Sequence, residues 1–194
     1  MSRVAGAPRE YPLRWTVEEY FGLVHRGDLR PDDRVELLDG LIVAMSPQDP
    51  LHAAAITRLT RVLQRVVGDR AAVRVQLPIV LGRSAPEPDL TLVPIDAGEN
   101  PEAHPRSAFL VVEVADSSLV PDRLTKAAIY ARAGLPEYWL VNLVDDCIEI
   151  FRKPVRKWGR YRSTSTVSRG ERIRVAAFPD VTVAVEELLP PRRG

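Results

Sequence analysis

The stretch FLVVEVA, residues 109–115, decides the fold. Phe109, Leu110, Val111, Val112 and Val114 form an apolar run dense enough for a strand covered on both faces. Glu113 stands inside that run. A buried carboxylate is costly by itself, so it must be paired, protonated or bound to a metal. The stretch therefore predicts both a central strand and a candidate site.

Downstream, Pro121 opens DRLTKAAIYARAG, which predicts a helix stopped at Gly134. EYWLVNL and CIEIF predict two further strands around an Asp145-Asp146 turn. YRSTST, RIRVA and VTVAV add short strands, and VEELL a final turn. Upstream, PDLTLV is a short strand that Asp89 begins. VRVQLPIVL alternates and predicts a strand, with Pro78 marking an edge or a bulge. The polar, proline-bearing segment 94–106 predicts a loop.

Ala55, Ile56, Leu59, Val62, Leu63, Val66 and Val67 recur at helical spacing and predict a helix over 50–67, ended by Gly68. Asp39-Gly40 between the apolar halves of VELLDGLIVAM predicts a hairpin. Thr16 and Glu19 form a T-x-x-E capping box that predicts a helix over 16–26. Residues 1–12 are expected to be a flexible arm and 152–194 a β-rich extension. The expected whole is one α+β domain of 194 residues, a mixed sheet with helices on its faces.

Composition narrows the function. The chain is 45% hydrophobic and 27% charged, as expected of a globular protein. A net charge of +1 means that a phosphate-bearing partner would be held by a local patch. The lone cysteine, Cys147, excludes an intramolecular disulfide and a cysteine metal cluster, and its strand context predicts a core residue. No run is long enough to span a membrane, and the N-terminus lacks a signal-peptide core. These features lead us to expect a soluble chain in a reducing compartment, most simply the cytoplasm.

Asp89 and Glu113 lie on successive predicted strands. If these pair, the two carboxylates face each other and repel unless a proton or cation intervenes. Mg²⁺ suits this position, because it takes oxygen ligands and needs only one or two carboxylates with water and phosphate. A cation so held can polarise a phosphoryl oxygen. Lys126 lies on the helix after the Glu113 strand, one turn from Asp122 and one from Tyr130, and could reach back over the strand end.

EPDLTLV, LVVEVADSSL and DRLTKAAIYARAGLPEYWLVNL together resemble the Uma-type endonuclease family of the restriction-endonuclease-like PD-(D/E)XK superfamily. The resemblance runs from about Thr16 to Lys153, and Lys126 to Trp139 is its most specific part. It implies a restriction-endonuclease-like mixed sheet flanked by helices, and cleavage of phosphodiester bonds, in DNA first of all, with Mg²⁺ or Mn²⁺. Asp89 matches the aspartate of PD, Glu113 the acid of the (D/E)XK element, Glu36 the N-terminal glutamate and His52 the histidine before the long helix. The superfamily lysine two positions after the acid is replaced by Ala115, and Lys126 matches the family's lysine on the next helix.

The resemblance implies metal binding by Asp89, Glu113 and the backbone carbonyl of Ala115. Lys126 would hold or deprotonate the attacking water. Glu36 would orient a water or join a second metal, and His52 would contact a phosphate or accept a proton. The chain departs from common members at DSS (116–118) and at Asn142. A homodimer would suit cleavage of both strands of a duplex.

Plainer roles stand beside these. Asp89 after Pro88 could cap a turn, Glu113 could pair with Arg123, and Lys126 with Asp122. Alternation could turn Glu36 outward. His52 could be a capping residue. RKPVRKWGRYR, residues 152–162, interleaves basic residues with Trp158 and Tyr161. It suits a nucleic-acid backbone or a solvated hairpin equally. Tyr138 and Trp139 are expected in the core. The rival function is a binding or assembly module that keeps the nuclease fold without turnover. A glycosidase is disfavoured by an aromatic content of 6%.

Overall fold

The structure, a computed structural model, describes residues 14–45, 47–116 and 125–191. The expected arm over 1–12, Pro121, Asp122 and Arg123 lie outside the described residues.

Local signals set most elements. Thr16 caps α1 (Val17–Arg26), with its side chain accepting from the Glu19 N–H while the Glu19 carboxylate accepts from the Thr16 N–H. Gly27 closes the helix at φ 76°. β1 (Val35–Leu38) and β2 (Leu41–Ala44) form the hairpin around Asp39-Gly40, where both residues have positive φ. Asp49 caps α2 (Pro50–Val67) by accepting from the His52 N–H at 2.8 Å. Ala55, Ile56, Leu59, Val62, Leu63 and Val67 are the buried stripe of α2. Each fully buried Val, Leu or Ile there is worth about 1.5–3 kcal/mol.

The main sheet has six strands: β3 (Ala72–Val75), β4 (Leu90–Val93), β5 (Leu110–Ala115), β6 (Glu137–Asn142), β7 (Cys147–Val155) and β8 (Arg160–Ser168), in that spatial order. The β5–β6 pair is parallel and every other pair is antiparallel. A parallel pair requires a crossover, which here includes α4 (Ala127–Ala133). All six residues of β5 and of β6 are buried, as strands covered on both faces demand.

One face of the sheet, through Leu90, Val112, Val114 and Trp139, packs on the α2 stripe and on the C-terminal segment. The other, through Val111, Tyr138 and Leu140, packs on Ile129 and Tyr130 of α4. The C-terminal segment contributes β9 (Arg172–Arg174), β10 (Thr182–Ala184) and α5 (Val185–Leu188). Cys147, Tyr138 and Trp139 are buried, as expected.

Three segments differ from expectation. VRVQLPIVL is a strand only through Val75. Gln76 has φ 50°, and Pro78 has no N–H to give a ladder. The chain therefore leaves the sheet and folds back, with the Ile79 N–H donating to Pro86 O at 3.0 Å. Segment 94–106 carries one helical turn, α3 (Ile95–Gly98). Residue 152 is no boundary, because β7 runs through it and β8 extends the same sheet.

Glu137 fixes the far end of β6. It is fully buried, and Oε1 accepts from the Arg152 guanidinium and from Trp139 Nε1 at 2.9 Å. Oε2 accepts from the Ala176 N–H at 2.7 Å. One carboxylate thus joins β6, β7 and the C-terminal segment. Glu137→Ala would strand these donors and should lower stability in urea unfolding by roughly 3 kcal/mol. An unchanged midpoint would mean that the three segments are held by apolar packing alone.

Candidate active site

Antiparallel register places Leu90 against Val112, so the next step sets Asp89 opposite Glu113. Both acids therefore stand where β4 begins and β5 nears its end. The Val114 N–H donates to Asp89 Oδ2 at 2.8 Å. His52 Nε2 meets Asp89 Oδ1 at 3.1 Å, and Gln76 Nε2 donates to the same oxygen at 3.4 Å. The cap of α2 is Asp49, which leaves the His52 ring to turn toward Asp89.

Glu113 is 3% exposed. Its Oε1 is 3.1 Å from Lys126 Nζ and accepts from the Tyr130 hydroxyl at 2.5 Å. Lys126 Nζ also lies 3.2 Å from Glu36 Oε1. Glu36 and its neighbour Leu37 are both buried in β1, and Glu36 Oε2 accepts from the Glu87 N–H at 3.1 Å. Lys126 is only 9% exposed, in a widened helical turn just before α4. An ammonium between two buried carboxylates offsets the repulsion between them and their loss of solvation.

Glu36, His52, Asp89, Glu113 and Lys126 all line one open cleft of about 650 Å³. Leu38, Leu41, Val43 and Met45 form its apolar wall, and Glu87 and Asp116 add acidic groups. Burial and the Glu36 carboxylate push the Glu87 carboxyl above the usual range, against the pull of Arg34 and Lys126. Burial and Glu113 raise the Tyr130 phenol, which stays protonated and donates. Burial, Glu87 and Glu36 push the Tyr20 phenol up to about 12.

Sequence reasoning named the five charged or ionisable groups but not Tyr130, Gln76 or Glu87 as site residues. For Tyr130 a signal existed, because position i+4 from Lys126 on a helix places it beside the lysine. Glu87 reaches the cleft, and Gln76 reaches Asp89, through loop geometry that no periodicity encodes.

The oxygen-rich donor set suits a hard cation. Among the described residues, no three His, Cys, Asp or Glu side chains are grouped as a metal cage. Two carboxylates with water and phosphate suffice for Mg²⁺, so the residues fit that ion rather than zinc. The Ala115 carbonyl, expected as a ligand, accepts from the Leu143 N–H at 2.9 Å and so faces β6. Strand alternation turns the neighbouring Val114 peptide the other way, toward Asp89.

The sequence matches the Uma2 family, described as "Putative restriction endonuclease", over residues 17–186. The chain belongs to the Uma2 family. A solved structure with a similar fold is a putative nuclease of the DUF820 group from Anabaena variabilis. It is 16% identical, with a TM-score of 0.71 over 89% of this chain and 96% of that one. No curated protein matches the chain.

The Uma2 match spans every residue of the Glu36–Glu113–Lys126 and Asp89–His52 contacts. Asn142 does not line the cleft. It is fully buried and closes the β6–β7 turn, donating to Asp145 Oδ2 at 2.8 Å and accepting from the Asp145 N–H at 2.9 Å.

Lys126→Met would leave Glu36 and Glu113 without their shared cation. Urea unfolding should show a loss of roughly 3 kcal/mol. Glu113→Gln in the same chain should recover part of it, with a coupling of about 1–3 kcal/mol in the double-mutant cycle. Strictly additive losses would contradict the ion-pair geometry.

Proposed function

We propose that the cleft is the active site of a metal-dependent endonuclease that hydrolyses phosphodiester bonds in DNA. The observation that carries this reading is a lysine ammonium 3.1 Å from Glu113, in the same cleft as Asp89. A cleft built for a neutral ligand gains nothing from a buried cation flanked by acids. One that handles a phosphodiester needs both signs, a cation for developing phosphate charge and acids for a metal.

Asp89, Glu113 and the main-chain carbonyl of Val114 would hold Mg²⁺ or Mn²⁺. Bound there, the cation supplies Lewis-acid polarisation of a phosphoryl oxygen and a lower pKa for water. The protein's own groups do the rest. Tyr130 fixes the Glu113 carboxylate through its 2.5 Å hydrogen bond. Glu36 steers Lys126 from the opposite side to Glu113. Lys126 donates to the attacking water and offsets the charge that builds on the phosphoryl oxygens. His52 holds Asp89 and stands where it can accept a proton or touch a phosphate. The apolar wall of β1 and β2 keeps bulk water from one side of the cleft, which strengthens these interactions.

Plasmid nicking in Mg²⁺ or Mn²⁺ tests the proposal. Asp89→Asn, Glu113→Gln and Lys126→Met should each lower cleavage by about 10²-fold or more while the folded variants still bind DNA. Chelation of the metal should abolish cleavage by the wild type. Cleavage by an Asp89→Asn, Glu113→Gln double variant at the wild-type rate would refute the assignment.

A further inference from the structure

The tip connecting β7 to β8 lies outside the cleft. It carries Arg156, Lys157, Trp158 and Arg160, all exposed. Trp158 is 59% exposed, while the Arg160 guanidinium covers one side of its indole at 4.7 Å from the ring centroid. An indole with one face open beside several basic groups offers a stacking surface to a nucleic-acid base. With the whole chain at a net charge of +1, this concentration of positive charge is local.

The tip packs against α4. Gly134 ends α4 at φ 81°, and the Arg156 guanidinium lies where a side chain would be, 2.1 Å from an ideal Cβ. Gly159 rests on the Arg132 side chain in the same way, at 3.1 Å. Arg132 in turn donates to Asp39 Oδ2 at 2.5 Å, and Asp39 lines the cleft. Exposed Arg14 donates to the Asp39 carbonyl, and Arg83 approaches Gly40. A basic track therefore joins the cleft rim to Trp158.

We propose that the β7–β8 tip is a second nucleic-acid contact, in which Trp158 stacks on an unpaired base of a strand that runs from the cleft along the basic track. The positive track complements a polyanion. A base inside a duplex already has both faces stacked, so an exposed indole discriminates for single-stranded sequence beside the cut site. Arg160 holds the indole in place and adds charge near the neighbouring phosphate. The inference rests on the nuclease reading only for placing that strand in the cleft.

The test uses full-length Glu113→Gln protein without metal, titrated with a short oligothymidylate and with a blunt duplex of equal length. Oligothymidylate should quench tryptophan emission. Trp158→Ala should weaken its binding by roughly 5-fold to 100-fold, Trp158→Phe should retain most of it, and duplex binding should change little. Lys157→Ala and Arg160→Ala should each reduce the salt dependence by about one counterion. Trp158 is surface-exposed, and an unchanged melting temperature controls for folding. Unaltered oligothymidylate binding by Trp158→Ala, or an equal loss on the duplex, would overturn the inference. Plasmid cleavage by the Trp158→Ala variant of the otherwise wild-type chain reads the catalytic site separately. If cleavage persists and single-strand binding is unchanged, the tip proposal falls and the nuclease stands. If Trp158-dependent binding is found without cleavage in the wild type, the tip proposal stands and the nuclease falls.

Discussion

The Lys126 ammonium, lodged between Glu36 and Glu113, is the interaction on which the site depends. Two carboxylates at 5% and 3% exposure cannot face each other ionised without a cation. The lysine removes that conflict and joins three separate pieces of chain: the β1–β2 hairpin, the central strand β5 and the turn that opens α4. The hairpin is held besides by the Leu37–Ala85 backbone pair, the Gly40 N–H to the Arg83 carbonyl, the Ser84 hydroxyl and the Arg132–Asp39 bridge, among other bonds. The group that stabilises the cleft also carries the charge that the proposed phosphodiester substrate needs.

The sheet explains why these groups meet. β5 pairs antiparallel with β4 and parallel with β6, so its C-terminal end is where the β4 ladder has stopped and the crossover begins. Asp89 sits one residue beyond the β4 ladder, and its carboxylate takes the Val114 N–H that a longer strand would have bonded. The same end receives the N-terminus of α2 with His52. A site at this place needs no distortion of the core, because the layers of Leu, Val and Trp lie on either side of the strands and end before the cleft.

The sequence carried the parts whose physics is local. The Thr16 capping box, the Asp39-Gly40 turn, the α2 stripe and the Gly134 stop each depend on residues a few positions apart. The central strand was legible because a strand covered on both faces needs an unbroken apolar run. Glu113 stood out for the same reason, as the one group in the run that demands a partner. Segment 76–81 departs from its alternating pattern: Gln76 has positive φ with its N–H on the Asp89 carbonyl, and Ile79 pairs with Pro86, contacts that no local spacing encodes. Glu87 carries no local signal, since only the fold brings it beside Glu36. The Ala115 carbonyl came from the family pattern. Strand alternation gives it to Leu143 and turns the Val114 peptide toward the acids.

Anomalous diffraction from crystals soaked in Mn²⁺ tests the central claim most directly. The account predicts a single strong peak about 2.0–2.5 Å from oxygens of both Asp89 and Glu113, with Lys126 still within hydrogen-bonding distance of the Glu113 carboxylate. A peak elsewhere on the surface, or none in the cleft at saturating metal, would contradict it.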